Sequence, residues 1–132
     1  MAGRRLDPDG PALVTEVAGY LERGEEPPQR ALRSAVRYLL FTLEATAPGR
    51  SVEVRVPPVA AVQCVAGPRH TRGTPPNVIE TDPVTWFRLA TGQLGWDEAV
   101  NSGTVRASGA RADLSAYLPL NRSVPPAGAG PI

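Results

Sequence analysis

Few side chains in this sequence are of the types that carry out catalysis. The chain has one cysteine, Cys64, and one histidine, His70, and the carboxylates Glu80 and Asp82 follow the histidine. A thiol beside an imidazole can act as a nucleophile, and an imidazole beside a carboxylate can act as a general base. Cys64, however, lies in an apolar run, where a lone cysteine usually packs as a small hydrophobic residue. We therefore predict no catalytic residue, and an enzyme that uses His70 stays open as a third alternative.

The sequence also lacks the usual patterns of metal and cofactor sites. One histidine and one cysteine are too few for a transition-metal site or an internal disulfide, and no calcium-loop spacing is present. No glycine-rich phosphate loop and no Gly-x-Ser-x-Gly elbow occur. We expect neither a metal nor a cofactor.

The loop that contains Pro75-Pro76 is nevertheless stiff enough to hold a side chain in place for a specific contact. Pro75-Pro76 restricts the backbone of the segment that carries His70 and Arg72, and Trp86-Phe87 follows shortly after. We hypothesise that Trp86 and Phe87 form an apolar wall, while Arg72, helped by His70, meets an anionic head group such as a carboxylate. The alternative is that the loop only turns the chain and Arg72 is solvated.

Composition excludes several broad classes of protein. The 14 basic and 13 acidic residues nearly balance, and every basic residue is arginine, a bias that GC-rich codon usage explains. The arginines are spread along the sequence, so we expect no nucleic-acid partner. The first residues lack a signal-peptide core, and no apolar run approaches the ~20 residues of a membrane span. We expect a cytoplasmic protein without stable membrane insertion.

Two helices are predicted at the beginning of the chain. Asp7 and Pro8 resemble an N-cap and a first helical residue, and Gly24 is a stop signal. The second helix carries an apolar stripe that includes Leu39, with arginines on its other side. Phe41 falls among those arginines, so we expect helix 1 or a partner subunit to cover it. A homodimer through this helix therefore stays open.

Strand-like alternation follows over residues 51–56, 59–65 and 77–81. The second of these runs is the most continuously apolar and is predicted to be the more central. Because the connections look too short for crossovers, we expect an antiparallel meander.

The rest of the chain continues with helices and one strand. Asp82-Pro83 predicts a capped helix that ends at Gly92, and a short helix is predicted over residues 96–102. A strand over residues 104–108 should turn Val105 and Ala107 inward, and a last helix is expected over residues 112–118.

These elements predict an α+β fold in one domain. The sheet should be largely antiparallel, have about four to five strands, and be covered on one face by helices. Residues 1–6 are interpreted as an N-terminal arm, 7–120 as the domain and 121–132 as a flexible tail, because the tail has no periodicity and little apolar surface.

Part of this sequence resembles a known family. Three segments resemble the C-terminal half of sterol carrier protein 2-like domains. They are residues 82–92 (DPVTWFRLATG), residues 102–109 (SGTVRASG) and Ala112-Asp113-Leu114. The whole stretch 7–120 is similar to the bacterial, mostly actinobacterial, sterol-carrier orthologues.

The resemblance implies an apolar tunnel between helices and sheet that holds a fatty acid, acyl-CoA or sterol-like lipid, without metal or catalysis. The residues expected at this site are Trp86, Phe87, Leu114, Tyr117, Leu118, Arg72 and His70. The final helix of this chain is short and stops at Pro119, so the tunnel could be open, small or filled. The alternative function is a protein-interaction module with a filled core, which would work through the Phe41 and arginine face or through the tail.

Overall fold

Helices and strands are partly segregated along the chain. The computed structural model describes residues 5–67 and 77–120. Within these ranges the helices are α1 (Gly10–Glu22), α2 (Gln29–Thr46), α3 (Pro83–Thr91) and α4 (Trp96–Ser102), and the strands are β1 (Val52–Val56), β2 (Ala60–Cys64), β3 (Asn77–Thr81) and β4 (Val105–Ser108).

The four strands of the described residues form one open sheet in the order β2-β1-β3-β4. Val54 of β1 pairs with Val62 in an antiparallel ladder and with Ile79 in a parallel one. Ile79 also pairs with Ala107 in the antiparallel ladder of β3 and β4. The predicted α+β class with a largely antiparallel sheet is confirmed.

The predicted antiparallel meander is wrong for the third strand, β3. β3 lies beside β1, parallel to it, and does not follow β2 as a hairpin partner. The chain between Cys64 and Asn77, residues 65–76, is long enough for a parallel return, which needs a connection of about a dozen residues. β1 and β3 therefore occupy the middle of the sheet.

Two further predictions are wrong, one on the position of β2 in the sheet and one on the burial of β4. β2 lies at one end of the described sheet and not at its centre, and two residues of its apolar run, Ala60 and Ala61, are partly covered and exposed, respectively. In β4 only Val105 is buried, while Ala107 is exposed. The helical layer covers the first residue of β4, where α4 packs, and leaves the rest in solvent.

The core lies between the sheet and the helices. Val52, Val54 and Val56 of β1 are fully buried, and Glu53 and Arg55 point to the other, wetter face, where they form an ion pair of 2.8 Å. The predicted stripe of α2 is confirmed, since its leucines are buried against this layer. Phe41, expected among the arginines, is partly buried and packs against the core.

The ends of the helices follow local capping chemistry. The predicted cap at Asp82 is confirmed, because its carboxylate accepts hydrogen bonds from the backbone N–H of Thr85 (3.1 Å) and from the Thr85 hydroxyl (2.6 Å). The predicted start of α1 is two residues early. Asp9 is the N-cap, whereas the Asp7 carboxylate accepts from the N–H of Asp9 and so stabilises the preceding turn.

The last predicted helix, over residues 112–118, does not form. These residues make turns, because the Asp113 carboxylate accepts a hydrogen bond from the N–H of Ser115 and so competes with helical bonding. The same bond lowers the pKa of the Asp113 carboxyl. Leu114 and Leu118 are still buried, so the segment covers the core without helical structure.

A buried polar cluster joins β1, β3 and the chain that follows β2. The side chain of Asn77 donates to the carbonyl of Ser51 (2.8 Å) and accepts from the N–H of Arg111 (2.9 Å). The hydroxyl of Ser51 donates to the carbonyl of Val65 (2.6 Å), and Val65 has a φ of 65°, which is unusual for a β-branched residue. Specific hydrogen bonds therefore hold the chain on both sides of residues 66–76.

Candidate ligand-binding cleft

The two aromatic residues predicted to form an apolar wall lie inside the core. Trp86 and Phe87 belong to α3, and their side chains are 1% and 0% exposed. α3 packs against α2, and both aromatic rings belong to the hydrophobic core that the helices and the sheet share. Their side chains therefore contribute packing to the site and not an open surface.

The other predicted site residues are dispersed. Leu114 is fully buried in the core, whereas Tyr117 is 37% exposed. Leu118 lines a cleft of about 400 Å³ that also contains Trp96, Asp97 and Glu98 of α4. We call it the acidic cleft. His70 and Arg72 lie outside the described residues, so the head-group contact stays a prediction.

A second and more apolar cleft lies where α1 and α3 meet α2. Its volume is about 370 Å³, within the roughly 300–1,000 Å³ typical of small-molecule sites. We call it the apolar cleft. Its lining comes from three helices and the end of the described chain: Pro11, Val14, Tyr38, Leu39, Thr42, Ala90, Thr91 and Leu120.

Of the predicted site residues that the structure describes, none lines the apolar cleft. A partial signal was present, because Leu39 lies on the apolar stripe predicted for the second helix. The spacing between α1 and α2 was not visible in the pattern. It depends on Gly10, since a Cβ at this position would overlap the ring of Tyr38. The absence of a side chain at Gly10 lets α1 approach α2 beside the cleft.

The hydroxyl groups of the apolar cleft are largely occupied within their own helices. Thr42 donates to the carbonyl of Tyr38 (2.8 Å), and Thr91 donates to the carbonyl of Phe87 (2.8 Å). Each threonine therefore presents its methyl group and an accepting oxygen, not a free donor. Such a lining suits hydrocarbon better than a charged or strongly polar molecule.

Trp86 provides an unpaired donor in the interior. Its indole N–H is buried and donates to no acceptor in the described part of the chain. Leaving a buried donor unpaired costs about 1–3 kcal/mol, so such groups are rare in folded proteins. Trp86 lies one helical turn before Ala90, which lines the apolar cleft.

Neither an activated thiol nor a cluster of metal ligands occurs in the part of the chain that the structure describes. Burial, with a smaller contribution from the Glu44 carboxylate, raises the pKa of the Cys64 thiol to about 12. The thiol is therefore neutral and a poor nucleophile near neutral pH. Across residues 5–67 and 77–120, no three His, Cys, Asp or Glu side chains are grouped closely enough to hold a metal ion. The described helices include none that is long and apolar enough to span a bilayer.

Comparison with known proteins agrees with this fold. A family model described as bacterial SCP ortholog matches residues 28–120, which is more than half of the chain. The match contains α2, α3, α4 and all four strands of the described sheet, and it begins after α1. A comparison with curated proteins gives no match. The chain belongs to the bacterial SCP ortholog family of sterol carrier protein-like domains.

Proposed function

We propose that this protein binds and carries an apolar ligand, such as a fatty acid, an acyl-CoA or a sterol-like lipid, without catalysing a reaction. The observation that carries the proposal is the apolar cleft of about 370 Å³ between α1, α2 and α3. Membership of a sterol carrier protein-like family supports it. The volume is near the lower end for small-molecule sites, which favours one slim chain.

The strength of binding can be bounded from the chemistry. Burying about ten methylene groups contributes roughly 8 kcal/mol, at about 0.8 kcal/mol for each group. Association costs at least about 4 kcal/mol in lost freedom. The net of about 4 kcal/mol corresponds to millimolar affinity, and contacts at the polar end are needed to approach the micromolar range.

Two features are proposed to recognise the polar end. A ligand oxygen that reaches the Trp86 N–H would satisfy its unpaired donor. The predicted contact of Arg72 with an anionic head group, with help from His70, is an independent possibility for acids. Arg72→Ala should weaken a fatty acid about tenfold or more and leave the corresponding alcohol unchanged, since a bond to a charged group contributes about 1.5–3 kcal/mol.

The central test fills the cleft with a larger side chain. Val14 is partly buried and lines the cleft, so Val14→Phe should occupy part of the ligand volume. Val100 on α4 is 37% exposed and does not line the apolar cleft, which makes Val100→Phe a matched control. Titration with a fluorescent fatty acid should show weaker binding for Val14→Phe and unchanged binding for Val100→Phe.

The two alternative functions predict different titrations. A protein-interaction module with a filled core, which the buried Trp86 and Phe87 favour, would bind no lipid in any variant. Equal loss in both phenylalanine variants would place the ligand elsewhere. An enzyme dependent on His70 would show turnover of a ligand that His70→Ala abolishes. The cytoplasmic location and the homodimer through α2 stay predictions.

A further inference from the structure

The outer face of α2 carries the arginines that were predicted opposite its apolar stripe. Arg30, Arg33 and Arg37 are exposed and follow one another at intervals of three and four residues, so they lie on one helical face. They span about 10 Å along the axis, at 1.5 Å for each residue. With Gln29 and Ser34 they line a shallow groove of about 490 Å³. We call this surface the arginine face.

The positive charge of this face is not neutralised within the described residues. The ion pairs found in residues 5–67 and 77–120 join Arg23 to Glu25, Arg55 to Glu53 and Arg106 to Glu80, and none involves the arginine face. The sequence has no Asp or Glu at all from residue 27 to residue 43. An approaching anion would therefore meet three cations without a competing carboxylate on the same stretch of helix.

The arrangement is unfavourable for the helix itself. Arg30 lies in the first turn, where the positive end of the helix dipole repels a cation, and that turn contains no acidic residue. Arg33 is one turn away from both Arg30 and Arg37, and like charges at these spacings repel. These charge effects oppose the good helix propensity of arginine, so the three cations gain little from their neighbours within the helix.

We propose that the arginine face docks the protein on a membrane surface that carries anionic lipids. The phosphate groups of such a surface complement a row of guanidinium groups that have no ion-pair partner among residues 5–67 and 77–120. α2 also supplies Tyr38, Leu39 and Thr42 to the apolar cleft. These residues lie on a different face of the helix from the arginines, because successive helical residues are turned by about 100°. Docking through the arginine face would therefore lay α2 on the bilayer, with the apolar cleft on another side of the same helix. This step rests on the proposed function, because a carrier must exchange an apolar ligand with a membrane.

The test compares two triple variants that remove the same charge. Arg30→Gln, Arg33→Gln and Arg37→Gln together remove the arginine face. Arg23→Gln, Arg50→Gln and Arg106→Gln together remove three exposed arginines that already have side-chain partners in Glu25, Gln63 and Glu80. Both variants and the wild type are sedimented with vesicles of phosphatidylglycerol and phosphatidylcholine, or of phosphatidylcholine alone, at about 0.1 M salt.

We expect the wild type and the control triple to bind the anionic vesicles and not the neutral ones. Each basic residue near an anionic surface strengthens binding about five-fold, so the face variant should lose about a hundred-fold. Its thermal midpoint should stay level or rise, which excludes unfolding as the cause, and its affinity for a fatty acid in solution should be unchanged.

Three results would overturn the proposal. The first is equal loss in both triples, which would make net charge the cause. The second is a wild type that does not bind anionic vesicles. The third is arginine-face-dependent binding to duplex DNA in place of vesicles. The cleft titration with Val14→Phe is measured without membranes, so its failure is distinguishable from a failure here.

Discussion

α3 and α1 contribute to the same cleft but are held in the fold very differently. α3 has a side-chain cap at Asp82, a left-handed glycine at Gly92, and five buried residues among its nine. α1 has no side-chain hydrogen bond at its N-cap and only Gly10 and Val17 buried among its 13 residues. The family match includes α3 and starts after α1. The comparison indicates one wall, α3, that is held by fully buried side chains and a cap, and a second wall, α1, that packs on α2 mostly through partly buried side chains.

The largest effect should come from α3. Phe87→Ala removes a fully buried ring and should cost about 3–5 kcal/mol of unfolding free energy. Val14→Ala on α1 should cost only about 1 kcal/mol, because a half-buried valine contributes about half of the 1.5–3 kcal/mol of a buried one. Denaturant titration measures both. Similar losses of unfolding free energy in the two variants would contradict the distinction between α3 and α1.

The next effect concerns how α1 approaches α2. Gly10→Ala would force a Cβ against the Tyr38 ring and should cost about 1–3 kcal/mol through overpacking. Gly19→Ala in the same helix meets only the flexible end of Arg23, so it should stabilise by about 0.5–1 kcal/mol through helix propensity. Thermal melts of the two variants should therefore shift in opposite directions. An unchanged melting temperature in Gly10→Ala would show that α1 can pack farther from α2 without loss of stability.

A smaller effect is expected at the helix caps. Asp82→Ala should cost about 1 kcal/mol, because the N–H of Thr85 loses its acceptor. Asp9→Ala should change stability by less than about 0.5 kcal/mol, since the Asp9 side chain makes no cap hydrogen bond. Equal melting shifts would mean that the two helices are capped equally well.

The smallest effect at neutral pH concerns Cys64, which lies in the interior beneath α2. Its pKa of about 12 exceeds the ordinary value of 9.0, so the folded state retains the proton longer than the unfolded state. The associated stability is fully present below about pH 9 and is lost as the pH rises toward 12. At about pH 8, Ellman's reagent should react slowly with folded protein and fully with denatured protein. A fast reaction of the folded protein would contradict a closed interior.

The sequence predicted the elements whose signals are local. Asp82, Pro83 and Gly92 mark both ends of α3, and the stripe around Leu39 marks the buried face of α2, so these helices were found correctly. The parallel pairing of β3 with β1 was missed because strand order depends on contacts between distant residues. The helix expected over residues 112–118 failed because the side-chain bond of Asp113 outweighed a short apolar pattern.

The cleft was harder to predict than the fold. Trp86 and Phe87 were expected to line it, but large apolar residues on a central helix fill a core as readily as they border a cavity. Pro11 and Tyr38 border the cleft because Gly10 allows two helices to come close, and that contact has no periodic signature. The arginines of α2 were predicted on the side opposite its apolar stripe, but their lack of carboxylate partners among the described residues depends on the fold and has no signal in the helical pattern.

The most direct test of the account is to locate a bound lipid on the protein. A fatty acid with a spin label on its chain would be added to isotope-labelled protein, and the loss of amide signals would be mapped by NMR. The account predicts the strongest loss around Val14, Leu39 and Ala90, with Val100 unaffected. Signal loss centred on Trp96 and Leu118 of the acidic cleft, or no loss at all, would contradict it.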